Sequence, residues 1–145
     1  MLETAIQNVL SQDVQTKKIF LGVFARNELP KSPPYPSCFV FNTAPREHKG
    51  QHWLGVFYDK NGICDFFDSY GIPAANFNIE NYLDETSKSW NQNKKRIQGD
   101  SLFCGHYVIL FLLFRARGKS KCFFQAFTAS FSKNDKLIKD LFLDI

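Results

Sequence analysis

The sequence has no apolar run long enough to cross a bilayer. The longest, Tyr107 to Phe114, stops well short of the roughly 20 residues that a spanning helix needs, so no membrane segment is expected. The opening Met1-Leu2-Glu3 is acidic and leads into no apolar stretch behind positive charge. No secretory signal is therefore expected, and the protein should work in a reducing compartment. Cysteine is sparse: Cys38, Cys64, Cys104 and Cys122 stand far apart, with no CxxC pair and no Cys/His cluster at metal-ligand spacing. That spacing argues against a zinc site and a dense disulfide framework, and no required cofactor is expected. Internal repeats, low-complexity tracts and linkers are also missing, and 145 residues fit a single domain over 1–145.

Phenylalanine, by contrast, is abundant. Sixteen in one small chain is an aromatic load that only a substantial buried core absorbs, so the chain should fold. The formal net charge of +4 is a mild basic bias, helpful toward a polyanion but satisfied equally by a solvated surface.

Periodicity places a short helix over Leu2–Leu10, a β-prone run over Ile19–Phe24, and an ordered loop through the prolines at 30, 33, 34 and 36. Strands are predicted over Ser37–Asn42, His52–Tyr58 and Ile63–Asp68, the last two joined by the Asp59-Lys60-Asn61-Gly62 turn. Asn78–Trp90 reads as a polar helix and Lys94–Gln98 as a short basic extended run. Cys104–Ala116 is apolar on nearly every side, the pattern of a helix buried at a domain's centre against a sheet. Helices over Lys121–Phe131 and, capped by Asn134, Asn134–Leu143 close the chain.

A cysteine beginning a buried helix is ordinarily core, but the surroundings of Cys104 point to chemistry. At a helix's first turn, unpaired N–H groups and the macrodipole favour an anion and lower a thiol's pKa. The Cys104 N–H, with the amide of Gln98 six residues upstream, provides the two donors an oxyanion hole requires. Gly99 and Gly105 leave room for close substrate approach. A buried glutamine satisfied by its own loop is the plainer role for Gln98.

The activating base must be one of three histidines. His48 lies in a polar loop. His106 follows Cys104 by two residues in the same helix and so points to another side, where it would fill a polar gap. His52 opens a strand, where the sheet edge holds it against a cleft, and Trp53 either walls that cleft or fills core. An imidazole in this role needs a carboxylate to fix its tautomer, and Asp65 and Asp68 are the candidates. Alternation puts them on opposite strand faces, with Asp68 at the end beside Ser69-Tyr70-Gly71, where a cleft would form.

The order His52-Trp53, Phe67-Asp68-Ser69-Tyr70-Gly71, Gln98-Gly99-Asp100-Ser101 and Cys104-Gly105 resembles adenain, the adenovirus-type maturation protease. The likeness extends upstream through Phe20–Phe24, Phe41–Glu47 and Gly50-Gln51, and covers about residues 19 to 114. It implies an α+β, adenain/SUMO-protease-like cysteine peptidase fold: a central mixed or antiparallel sheet packed against a buried helix starting at Cys104. It further implies catalytic His52, Asp68 and Cys104, an oxyanion hole from Gln98 and Cys104, and a monomer cleaving viral capsid or core precursors at glycine-containing motifs. Such an enzyme would work in the virion and the infected cell, in the nucleus or a viral factory.

SUMO-deconjugating proteases share the residue order but carry Asp directly before Cys-Gly, where this chain has Phe103. A ubiquitin-like deconjugating peptidase is thus the alternative, and a non-enzymatic binding module the rival of another class. Asp68 stands where adenovirus enzymes generally have Glu, and no cysteine between Asp68 and Cys104 is available to accept a disulfide-linked activating peptide. The chain is also short beside those enzymes, closer to versions in virophages, Polinton-type elements or adenovirus-like animal viruses. DNA is a candidate activator, through Lys94, Lys95, Arg96, Arg115, Arg117, Lys119 and Lys121.

Overall fold

The structure is a computed structural model that describes residues 3–43 and 52–142. It is α+β: a five-stranded mixed sheet packed against helices. The strands β1 (Phe20–Phe24), β2 (Ser37–Asn42), β3 (Trp53–Tyr58), β4 (Ile63–Phe67) and β5 (Ser89–Gln92) lie side by side in chain order. The outer pairs β1–β2 and β4–β5 are parallel, whereas β2–β3 and β3–β4 are antiparallel. The turn between β3 and β4 forms because Asp59 accepts backbone N–H bonds from Asn61 (2.8 Å) and Ile63 (2.9 Å).

Both faces of the sheet are covered, so the central strands β2 and β3 are apolar on both sides instead of alternating with polar residues. On one face Cys38, Val40, Phe57 and Phe67 meet Ile6 and Leu10 of α1 (Glu3–Gln12) and the long helix α3 (Cys104–Ala116). On the other, Phe39, Phe41, Leu54, Val56, Tyr58 and Phe66 meet Ala74, Ile79 and Leu83, the last on α2 (Glu80–Thr86). Gly55 is the seat of α3. A Cβ there would stand 3.0 Å from Val108 Cγ1, so the absence of a side chain lets the helix lie close against β3. Phe67 and Phe111 stack at 4.6 Å between centroids and 5° between planes. A pair of this kind contributes about 0.5–1.5 kcal/mol beyond its buried area. It fixes the end of β4, one residue before Asp68, to the helix that begins at Cys104.

The predicted helix over Cys104–Ala116 and strand over Ser37–Asn42 have the bounds expected of them. The polar helix over Asn78–Trp90 needs correction, because only Glu80–Thr86 is α-helical and Ser89–Gln92 is β5. The strand's own residues are mostly polar, and its register against Ile63–Phe66 of β4 provides what its composition does not. Lys94–Gln98 is no strand. There the backbone N–H groups of Ile97 and Gln98 both donate to Ser69 O, at 2.9 and 3.1 Å.

The tail holds α4 (Ser120–Gln125), shorter than the predicted Lys121–Phe131 helix, and α5 (Phe131–Leu141). The cap of α5 is Ser130, whose Oγ accepts from Lys133 N, and not Asn134, which is buried inside the helix. Among the described residues no helix is long and apolar enough to cross a membrane. Nor does any group of three or more His, Cys, Asp or Glu among them come together to hold a metal ion.

Candidate active site

Three elements meet at one end of the sheet: the start of β3, the end of β4 and the N-terminus of α3. His52 directly precedes β3, Asp68 directly follows β4, and Cys104 is the first residue of α3. The antiparallel β3–β4 pairing, with Gly55 opposite Phe67, brings His52 to Asp68 from 16 residues away.

His52 Nε2 lies 2.5 Å from Asp68 Oδ1. The Cys104 thiol is the second group beside the same ring, and each shifts the other's pKa. The Cys104 side chain also receives the backbone N–H groups of Trp53 and Gly105. Cys104 is 9% exposed and His52 12%, while Asp68 is fully buried, so the thiol and the ring reach the surface and the carboxylate does not.

Asp68 is held from several directions. Its Oδ1 also accepts from Tyr70 N (3.1 Å), and its Oδ2 accepts from Ile72 N (2.9 Å). Asn93, just past β5, brackets its backbone: Oδ1 accepts from Asp68 N at 3.0 Å, and Nδ2 donates to Asp68 O at 2.6 Å. The carboxylate therefore has little freedom to leave the imidazole. Asp65, the other candidate acid, is elsewhere, accepting from Arg115 Nε at 2.7 Å on the helix-covered face.

The electrostatics follow from these contacts. Burial opposes the charged form of both groups, but the paired hydrogen bonds outweigh it. For His52, the bonds to Asp68 and Cys104 raise the pKa to about 9. For Cys104, the imidazole and the N–H groups of Trp53 and Gly105 lower the thiol below its usual range. The two shifts together favour a thiolate–imidazolium pair. Cys38 is the contrast: burial alone pushes its thiol up to about 12, and burial likewise raises Cys64. All four cysteines are free thiols.

Gln98 is fully buried, and its amide is engaged by the loop after β4 and the loop that precedes α3. Oε1 accepts from Ser69 Oγ at 2.5 Å, and Nε2 donates to Ser101 O at 2.9 Å and weakly to Ser101 Oγ at 3.3 Å. Both Nε2 contacts go to Ser101, one ordinary and one long. Gly99 has a different role from the predicted one of admitting substrate. Its absent side chain makes room for α5, since a Cβ would stand 2.6 Å from Asp135 Oδ2 and 3.1 Å from Phe131 Cβ.

Tyr70 lies beside the His52 ring at 5.1 Å, and Phe77 at 6.2 Å. The Arg96 guanidinium sits 5.0 Å from the Tyr70 ring and 4.8 Å from that of Phe131. Trp53 is half-buried against the helix-side core. Tyr70, Asn93 and Asp135 escaped the sequence reading. Only Tyr70 carried a signal, its place two residues after the acid; the other two depend on contacts 25 and 36 residues apart.

His106 does not fill a polar gap. Its ring packs edge-on to Phe103 and Phe142, its Nδ1 has no partner, and burial lowers its pKa to about 4. An unfolded histidine titrates near 6.5, so between those values the unfolded chain binds a proton that the native state does not, and stability falls as pH drops through that window. His106→Phe should remove this component. The melting temperature lost between pH 7 and pH 4.5 is expected to be smaller by a few degrees than in the wild type, as read by thermal denaturation at both pH values. His48 lies outside the described residues.

The predicted basic stripe is partly neutralised. Arg115 pairs with Asp65 and Asp59, and Arg117 with Asp13 at 2.6 Å. The Arg117 guanidinium holds the Asp13 carboxyl down at about 2. No protein-family model matches the chain, and no curated protein matches it.

Proposed function

We propose that this chain is a cysteine endopeptidase in which His52 and Asp68 activate Cys104. The observation that carries the proposal is a single imidazole hydrogen-bonded to a buried carboxylate and electrostatically coupled to a thiol at a helix N-terminus. In such an arrangement the thiolate attacks a substrate carbonyl carbon and forms a tetrahedral intermediate. His52 then gives its proton to the departing amine, the C–N bond breaks, and a thioester remains on Cys104. Water, deprotonated by His52, releases the acyl group as a carboxylate and restores the thiolate. The Cys104 N–H and the Gln98 amide N–H are the candidate donors to the oxyanion.

The substrate class comes from the resemblance: precursor proteins of a viral capsid or core, cut at small-residue, glycine-containing motifs during virion maturation. The adenain/SUMO-protease-like arrangement is supported by an α+β fold with His52, Asp68, Gln98 and Cys104 in that chain order. A Gly-Gly-ended peptide and a diglycine-ended modifier fusion separate the two substrate classes. Cleavage of the fusion alone would move the assignment to a deconjugating peptidase.

Thiol reactivity tests the site without a substrate. Cys122 is exposed and Cys104 nearly buried, so access alone predicts that Cys122 reacts first. With iodoacetamide at pH 6.5, Cys104 is expected to be alkylated at least about tenfold faster than Cys122, because its thiol is lowered by the neighbouring His52. Peptide mapping after brief labelling reads the order, and preferential modification of Cys122 would sink the assignment.

A further inference from the structure

The C-terminal helix α5 touches the site through two adjacent residues, Asn134 and Asp135. Asn134 Nδ2 donates to Ile97 O at 2.9 Å, and the same side chain spans Thr128, accepting from its N–H and donating to its carbonyl, each at 2.9 Å. Asp135 accepts the Gly99 N–H with both oxygens at 3.1 Å. The residues on either side of Gln98 are therefore each bound to α5, one through its carbonyl and the other through its N–H.

Asp135 has a second partner. Its Oδ1 accepts from Tyr107 Oη at 2.7 Å, and Tyr107 lies one turn along α3 from Cys104. One carboxylate thus joins the backbone beside Gln98 to the helix that carries the nucleophile. The contact is close enough that any side chain at position 99 would collide with it.

We infer that Asn134 and Asp135 are positioning residues that set the Gln98 amide relative to the Cys104 sulfur, and so govern oxyanion stabilisation without taking part in thiolate formation. The inference rests on the peptidase reading above. His52 and Asp68 reach Cys104 from the sheet, and none of the hydrogen bonds that hold them involves α5. Ser69, next to Asp68, also holds Gln98, but the α5 contacts reach only the Gln98 side and Tyr107, so changes in α5 should weaken the oxyanion donor more than the thiolate.

The test compares wild type, Asp135→Ala, Asp135→Asn and Tyr107→Phe in three measurements: turnover of a fluorogenic peptide ending in Gly-Gly, affinity for the matching peptide aldehyde, and Cys104 alkylation by iodoacetamide. The aldehyde forms a hemithioacetal whose oxygen occupies the oxyanion position, whereas alkylation develops no oxyanion. Loss of a whole oxyanion donor costs about 10²–10³ in kcat, so a displaced one should cost about 10–100-fold. For Asp135→Ala, kcat is expected to fall in that range with little change in KM, and aldehyde affinity should fall in parallel. The alkylation rate should stay within about twofold of wild type.

Asp135→Asn retains an acceptor oxygen and should lose less, about 3–10-fold; it also serves if the alanine variant does not fold. Tyr107→Phe cuts the link to α3 alone and should fall between these variants and wild type. Unchanged turnover in all three variants would overturn the inference and leave the peptidase reading intact. A parallel fall in alkylation and turnover would also overturn it, by showing a purely structural role. A wild type that neither cleaves the peptide nor binds the aldehyde would remove the peptidase reading and the inference with it.

Discussion

Cys104→Ala is expected to abolish peptide cleavage, lowering kcat by at least about 10⁴-fold while leaving the folded structure in place. Covalent catalysis has no substitute once its nucleophile is gone, and residual rate then comes only from binding and the oxyanion donors. The fold should tolerate the change because Cys104 is at the end of α3 and retains some exposure, whereas the helix is anchored by Tyr107, Val108, Ile109, Phe111 and Leu112. Turnover of a Gly-Gly-ended peptide gives the activity, and urea denaturation confirms that stability is kept. Intact cleavage by the alanine variant would end the peptidase assignment. Cys104→Ser is the more discriminating control: it preserves size and hydrogen bonding, but its hydroxyl is not ionised by His52 as a thiol is, so its activity should also be lost.

The second large effect concerns Asp68 and is best seen in the pH profile. In the proposed peptidase the active form pairs a Cys104 thiolate with a His52 imidazolium. Activity should rise with pH as the lowered Cys104 thiol ionises, on the acid side of an ordinary thiol's value near 8.5. It should fall again as His52 loses its proton near 9. The expected kcat/KM profile is a bell whose alkaline limb is centred close to that value.

Asp68→Asn removes the carboxylate that raises His52. The imidazolium then deprotonates at lower pH, Cys104 loses the charge beside it, and its thiol pKa rises. The two limbs close on each other, and the maximum should drop by on the order of 10²–10⁴-fold. Part of any loss of stability would have a local cause, because the new amide N–H₂ must face one of the backbone N–H groups of Tyr70 or Ile72. Asp65→Asn is the matched control. Its carboxylate pairs with Arg115, so the variant should keep both limbs and most of the activity. An alkaline limb unmoved in Asp68→Asn would show that another group sets the charge of His52.

How much of this was legible in the sequence depended on the range of the interactions. The α3 boundaries were legible because an unbroken apolar run from Tyr107 signals burial on all sides, and the strand just before Asp68 showed as a short, mostly apolar run after a turn. The choice of Asp68 over Asp65 needed only the local rule that strand ends open onto loops. What stayed hidden was set by partners far along the chain. The Ser89–Gln92 strand has little β character of its own and exists through pairing with β4. Asn134 looked like a helix cap because caps favour that residue type, yet its amide is spent on Ile97 and Thr128. The engagement of Gln98 by Ser69 and Ser101 likewise requires two loops to be brought together by the fold.

The seating of α3 on Gly55 has a consequence for how the molecule tolerates change. The sheet carries His52 and Asp68, the helix carries Cys104, and Val108 at 3.0 Å from the place of a Gly55 Cβ gauges the gap between those layers. A single methyl group inserted there would act as a shim, lifting the sulfur from the imidazole while most of the core stayed packed. Stability and activity should therefore drift apart in variants of this contact, and a chain that still melts at its usual temperature can have lost its alignment.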